Sequence, residues 1–300
     1  MDLDGRVVAE QLRASFSAEV EALAASGRRP RLVAFQVGQN PATEAYVRGQ
    51  RRGAEAWRID YEMRTLPAGA TEADVRAALA DANEDPSVTG VLLQLPLPAP
   101  LPGRALQHAI APGKDVEGVH PENLGGVVHG RDGLAPCTAL AVMALIDASG
   151  VTVRGAEAVV VGHSEIVGKP VALMLLARDA TTHVCHKFTR DLAAHTRGAD
   201  VLVVAVGRPN LVTADMVKPG AVVVDVGINA VPVPGEPGRT RIVGDVDTAG
   251  LLARGCRVTP VPGGVGPVTV AMLMRNTVLA ARRRAPPPEE TAPSLFLGLE

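Results

Sequence analysis

The stretch Ala156-Glu157-Ala158-Val159-Val160-Val161-Gly162-His163-Ser164-Glu165-Ile166-Val167-Gly168-Lys169-Pro170 decides the fold. Its apolar opening reads as a strand, Gly162 ends it, and the run to Pro170 opens a helix. Backbone N–H groups and the helix dipole therefore converge where a pyrophosphate could lie. The spacing GxSxxVGxP differs from the common GxGxxG, and any tight strand-to-helix turn needs glycine, so this loop alone does not establish a dinucleotide site. Downstream, Thr182–His186, Val201–Val206 and Ala221–Val226 read as further strands. Apolar runs this continuous imply strands covered on both faces.

Upstream the same alternation appears. Val7, Val8, Leu12, Phe16, Val20 and Leu23 lie at helical spacing and Gly27 follows, which predicts an amphipathic helix over 3–26. Strands are expected at 32–37, 61–66 and 88–94, and helices at 43–57 and 72–83. A loop-rich stretch spans 112–136, an apolar helix 139–148, a rigid Pro/Gly loop 260–267, and a last helix 268–282. The fold class is thus α/β, with ligands at the carboxyl ends of parallel strands. We expect two α/β domains flanking a cleft, the second Rossmann-like. The first covers 1–139 and is completed by helix 268–284, the second covers 140–267, and the proline- and carboxylate-rich tail 285–300 is expected to be disordered.

Composition removes several classes of function. The net charge is −2 with both signs interspersed, which argues against nucleic acid as a partner. One tryptophan, two tyrosines and four phenylalanines leave few stacking platforms, so a flat ligand must be held by aliphatic walls and polar groups. The three cysteines are far apart and fit a reducing compartment. His183-x-Cys185-His186 lacks a second ligand pair, so no metal is expected. No apolar run reaches a membrane span and the N-terminus lacks the features of a leader, so a cytoplasmic protein is expected.

Discrimination between NAD and NADP depends on the end of the strand after the glycine loop, where a carboxylate would bind the ribose 2′-hydroxyl. Lys187 and Arg190 stand there instead, with no carboxylate until Asp191. That favours NADP, with His163 assisting and NAD as the alternative, unless both cations are merely solvated surface charges.

The chain resembles the methylenetetrahydrofolate dehydrogenase/cyclohydrolase family over about residues 1–284. The resemblance rests on Val91–Pro98, Lys114-Asp115-Val116-Glu117-Gly118, Pro136-Cys137-Thr138, the Gly162–Pro170 loop, Gly244-Asp245-Val246 and Thr259–Pro267. It implies hydride transfer from 5,10-methylenetetrahydrofolate to NAD(P)+, a reduced folate as substrate and a homodimer. It places Tyr46, Gln94, Leu95, Pro96, Glu117, Pro262, Gly263 and Gly264 around the folate. At the cofactor it places Gly162, His163, Ser164, Ile166, Val167, Lys187, Val206, Gly207, Gly227, Ile228 and Thr269.

Two positions depart from the family pattern. The family carries tyrosine, three residues, then lysine, whereas Tyr46-Val47-Arg48-Gly49-Gln50 has glutamine at the lysine position. An amide cannot shuttle protons for hydrolysis of the methenyl cation, so cyclohydrolase activity is expected to be weak or lost. Glu117 stands where the family has aspartate, adding a methylene to the group expected to grip the pterin. A divergent paralogue acting on an altered folate, and a folate-binding regulatory protein without catalysis, are the alternatives.

Overall fold

The computed structural model describes residues 3–283 apart from 132, 234 and 237. The first half alternates α1 (Gly5–Ala25), β1 (Arg31–Val37), α2 (Pro41–Ala56), β2 (Asp60–Leu66), α3 (Glu72–Glu84) and β3 (Gly90–Leu93), then adds α4 (Gly103–Gln107), α5 (Pro121–Val128) and α6 (Cys137–Ala148). The second half runs β4 (Glu157–Val161), α7 (Gly168–Leu176), β5 (Thr181–Cys185), α8 (Leu192–Thr196), β6 (Val201–Val204) and β7 (Val222–Asp225). A hairpin of β8 (Asn229–Pro232) and β9 (Thr240–Val243) follows, then α9 (Thr248–Ala253), β10 (Arg257–Val258) and α10 (Val265–Arg283). The expected tail lies outside the described residues.

The α/β expectation holds. A three-stranded parallel sheet has the order β2-β1-β3, and a five-stranded one the order β10-β7-β6-β4-β5. In the second sheet the chain steps from β4 to β5 on one side and then returns to β6 on the other. The crevice above the carboxyl ends of β4 and β6 is therefore the topological switch point where such sheets bind ligands. β4, β6 and β7 are almost fully buried valine-rich runs, whereas edge strand β5 leaves Val184 exposed.

One apolar core runs through both halves. Leu32 and Leu92 of the first sheet, Val142 and Leu145 of α6, Val160, Val203 and Val224 of the second sheet, and Met272 and Val278 of α10 all belong to it. Helix α10 packs against α1, α2 and α6, so the C-terminal helix completes the N-terminal layer. No helix among the described residues is long and apolar enough to cross a membrane.

Two expectations are corrected. The 112–136 stretch contains α5, started by Pro121 in its first turn and capped by the His120 side chain, which accepts from Glu122 N–H. Helix α10 begins at Val265, so Val265-Gly266-Pro267 belongs to a helix rather than to the loop. Proline in a first turn sacrifices no hydrogen bond, because those N–H groups have no intrahelical acceptor.

The N-terminal strap and the Pro/Gly loop are tied by backbone. Leu3 N–H donates to Val258 O (3.0 Å) and Gly5 N–H to Gly263 O (2.9 Å). A Cβ on Gly5 would sit 1.8 Å from Gly264 O, a backbone atom that cannot swing aside. Gly5→Ala is expected to destabilise the protein by about 1–3 kcal/mol through this overpacking, read as a lower urea midpoint at unchanged m.

Candidate active site

Gln94 extends the ladder one residue beyond β3, its N–H donating to Phe35 O at 2.8 Å. The side chain is 5% exposed, and its Nε2 donates to Gln50 Oε1 at 2.7 Å. Gln50, fully buried on α2, accepts a second hydrogen bond at the same oxygen from Tyr61 Oη of β2 (2.9 Å). Its own Nε2 is buried without a hydrogen-bond partner. Tyr46 precedes Gln50 by four residues and so shares its helix face. The Tyr46 residue is 37% exposed, yet burial of its hydroxyl end, reinforced by the nearby acidic groups Cys137 and Glu117, pushes the phenol upward, with Gln50 opposing. Burial pushes the Tyr61 phenol up to about 12.

The Lys114–Gly118 segment is held from every side. Lys114 Nζ donates to Ala82 O and Asp85 O, both at 2.7 Å. Asp115 accepts from Gly118 N–H (3.1 Å), His120 N–H (2.7 Å) and Asn123 Nδ2 (3.0 Å). From α10, Asn276 Nδ2 reaches Val116 O (2.9 Å) and Ala135 O (3.0 Å), and Cys137 N–H donates to Glu117 O (3.1 Å). Glu117 is thereby fixed by its neighbours, and its Oε2 accepts from Gln107 Nε2 of α4 at 2.9 Å. Burial, with the charge of Asp115 adding to it and Gln107 opposing, pushes this carboxyl up to about 7. Near neutral pH it is both acid and anion.

On the opposite wall, Gly162 leaves β4 at φ +120°, a left-handed backbone conformation that favours glycine. Ser164 organises the turn, its Oγ accepting from Gly168 N–H (3.3 Å) and its carbonyl from Lys169 N–H (3.0 Å). The residue before α7, Val167, offers no side-chain cap, but the first-turn N–H groups are already engaged, those of Gly168 and Lys169 by Ser164 and that of Val171 by Val167 O, while Pro170 carries none. His163, Ser164 and Ile166 are exposed around it. His163 and His186, at the ends of β4 and β5, have ring centroids 5.1 Å apart, and the Lys187 ammonium lies 4.9 Å from the centre of the exposed Phe188 ring. Val206 and Gly207 follow β6, and Gly227 and Ile228 follow β7, with Ile228 70% exposed. A permissive glycine and nearby imidazole and ammonium groups suit a dinucleotide with its phosphates.

The walls approach each other where Arg104 of α4 pairs with Glu165 of the glycine loop at 2.7 Å. Leu95, Pro96, Pro262 and Gly263 keep solvent-accessible surface, whereas Gly264 is buried against Thr259 and Pro260. Thr269 differs from the exposed cofactor candidates in its burial. It is buried in α10 and its hydroxyl donates to Val265 O of the same helix at 3.0 Å. No group of three or more metal-ligating side chains occurs among the described residues. Sequence reasoning missed Tyr61 and Gln107. Both sit in ordinary secondary structure, and the one hint for Tyr61 is that the chain has two tyrosines in all.

Comparison with known proteins identifies the family. Residues 3–117 match the profile of the tetrahydrofolate dehydrogenase/cyclohydrolase catalytic domain, and 136–285 that of the tetrahydrofolate dehydrogenase/cyclohydrolase NAD(P)-binding domain. The chain is 48% identical over 289 residues to bifunctional protein FolD 2 of Mesorhizobium japonicum, covering 96% of this chain and 94% of that protein. The crystal structure of the bifunctional FolD dehydrogenase/cyclohydrolase of Campylobacter jejuni superposes with a TM-score of 0.89 at 40% identity, covering 95% of this chain and 99% of that one. The Trypanosoma brucei FolD, solved with NADP cofactor and an inhibitor, gives a TM-score of 0.88 at 38% identity, with the same coverage of both chains.

Tyr61→Phe removes one of the two donors to the buried Gln50 oxygen. Stability is expected to fall by about 1 kcal/mol, seen in the urea midpoint. A midpoint equal to that of the unmodified protein would show that this bond contributes nothing.

Proposed function

The chain belongs to the tetrahydrofolate dehydrogenase/cyclohydrolase family and is a dehydrogenase of that family, and we propose that it converts 5,10-methylenetetrahydrofolate to the 5,10-methenyl form while its hydrolytic activity is weakened or lost. NADP+, when bound, supplies the hydride acceptor. The protein supplies orientation: a reduced folate lies between Tyr46, Gln94 and the Pro262–Gly264 loop, and the dinucleotide lies over the Gly162–Val167 turn. Rigid walls that hold two reactants at near-attack distance provide most of the advantage such a reaction needs.

The observation that carries this reading is the neutral, fully buried Gln50. Hydride departure needs no proton transfer, because the adjacent nitrogens stabilise the cation left behind. Water addition and collapse to the 10-formyl product do need it, and a tuned amine is the group suited to the task. No other lysine stands in. The chain has four; Lys114 is buried against backbone carbonyls, Lys218 pairs with Asp200, and Lys169 and Lys187 are exposed on the nucleotide side.

Glu117 completes the substrate side. As the anion it accepts the paired N–H donors of a pterin, as a charge-assisted contact. The proposal extends to a cytoplasmic homodimer. Edge strand β5, with Val184 43% exposed and Phe188 just beyond its end 77% exposed, supports an interface there, and three unpaired, buried cysteines support a reducing compartment.

With methylenetetrahydrofolate and NADP+, reduced cofactor is expected to form while the methenyl chromophore accumulates. Gln50→Lys is expected to speed the decay of that chromophore by roughly 10²–10⁴. Efficient formyl release by the unmodified enzyme, or no folate binding at all, would overturn the reading.

A second expectation concerns pH. Glu117 is protonated below about 7, and the bound pterin requires its anion, so binding releases a proton there. Folate affinity should weaken by about tenfold per unit as pH falls below 7 and level off above it. Titration calorimetry in buffers of different ionisation enthalpy reads this directly, and Glu117→Gln should flatten the profile.

A further inference from the structure

We propose that Asp245 is a positioning residue for the nicotinamide half of the dinucleotide, acting through the two loops that its carboxylate ties together. The inference rests on the dehydrogenase reading above. Asp245 is fully buried, and its Oδ2 accepts from Val206 N–H (2.7 Å) and Gly207 N–H (2.9 Å). Its Oδ1 accepts from Arg208 N–H and from Asn229 Nδ2, both at 2.8 Å. The first three donors belong to the segment leaving β6. Asn229 belongs to the segment leaving β7, directly after Gly227 and Ile228. One side chain therefore joins the carboxyl-end loops of two adjacent parallel strands beside the switch point, where the cofactor must lie.

A carboxylate is required there by its chemistry. It carries only acceptors, about four lone-pair sites on two oxygens, and all four are engaged. An amide of the same shape would turn one oxygen into an N–H donor and set it against a pair of N–H donors.

Asp245 is itself held in place by Asp225 at the end of β7. Asp225 Oδ1 accepts from Asp245 N–H (3.0 Å) and Gly227 N–H (2.9 Å), and Oδ2 from Val246 N–H (3.1 Å). Burial pushes Asp225 up to about 6, against these backbone donors and with the Asp245 charge adding to the rise. Two neighbouring buried carboxylates are costly unless hydrogen-bonded, and here backbone N–H groups surround both. The loops close tightly on the pair. A Cβ at Gly227 would lie 2.3 Å from Asp245 Oδ1, and one at Gly244 would lie 1.8 Å from Asp225 Oδ2.

The experiment compares binding of NADP+ and of its fragment 2′,5′-ADP, by calorimetry, in the unmodified enzyme, Asp245→Asn and Asn229→Ala. The fragment probes only the adenosine end at the Gly162–Val167 turn. Asp245→Asn is expected to weaken NADP+ by about tenfold or more and to raise its KM in parallel, with fragment affinity and the folate KM each within about twofold. Asn229→Ala, which removes a single donor, should shift NADP+ in the same direction by about threefold, and it carries the test if Asp245→Asn fails to fold. Unchanged NADP+ binding in the folded variants, or equal loss of NADP+ and fragment, would overturn the inference. Absence of NADP+ and fragment binding in the unmodified chain would instead overturn the dehydrogenase reading beneath it.

Discussion

A single oxygen, Oε1 of Gln50, accepts from Tyr61 and Gln94 in a place closed to solvent. Polar groups buried this deeply must find partners, so the identity of one dictates the orientation of the next. Because Gln50 accepts, Gln94 must donate, and the end of the Gln94 amide left for other partners is its carbonyl oxygen. A protonated lysine at position 50 could only donate, and the Gln94 amide would have to turn round. Replacing an amine by an amide thus changes more than the removal of a proton carrier. It exchanges a donor for an acceptor at the Gln94 side chain, which the proposed function sets at the one-carbon centre, and an acceptor is compatible with the positive charge of a methenyl group.

The cleft around this oxygen is rigid because helix α10 serves both walls. Its first turn emerges from the loop that Gly5 and Thr259 hold, and its Asn276 secures Val116 and Ala135 behind Glu117. A displacement of α10 would therefore move both walls together. The shared core of α6 and α10 with both sheets makes such a displacement costly, since it would open apolar surface on each side. The Arg104–Glu165 pair spans the same cleft but is exposed, and such surface pairs contribute little. Packing beneath the cleft, rather than ion pairing across it, sets the geometry.

How much of this was legible follows from how local each feature is. The strands were readable because valine-rich runs buried on both faces leave a continuous apolar signature. Helix α5 was not, since it is short, glycine-containing and begins with a proline that normally marks a loop, and the β8–β9 hairpin carries prolines within and between its strands. Gln50 stood out because a motif placed it, whereas Tyr61 and Gln107 become functional candidates only when β2 meets α2 and α4 meets the Glu117 loop. Thr269 shows the opposite case: a hydroxyl near a motif whose donor is already engaged one turn back in its own helix. Pairings between distant elements leave no trace in spacing.

Glu117 is an ionisable candidate to stand in for an amine at position 50, since burial and Asp115 bring it into the range where general acids and bases work. Its position argues against that role. To hold a pterin it must be the anion, so the proton it carries in the empty cleft leaves when substrate arrives, before any methenyl cation exists. In the proposed complex its oxygens face the pterin donors as well as Gln107, and reprotonation would break the contact proposed to orient the substrate. A group that must stay charged to position the ring cannot also relay the proton that hydrolysis demands. Hydride transfer makes no such demand, and on that difference rests the proposal that one buried amide separates two activities of a shared cleft.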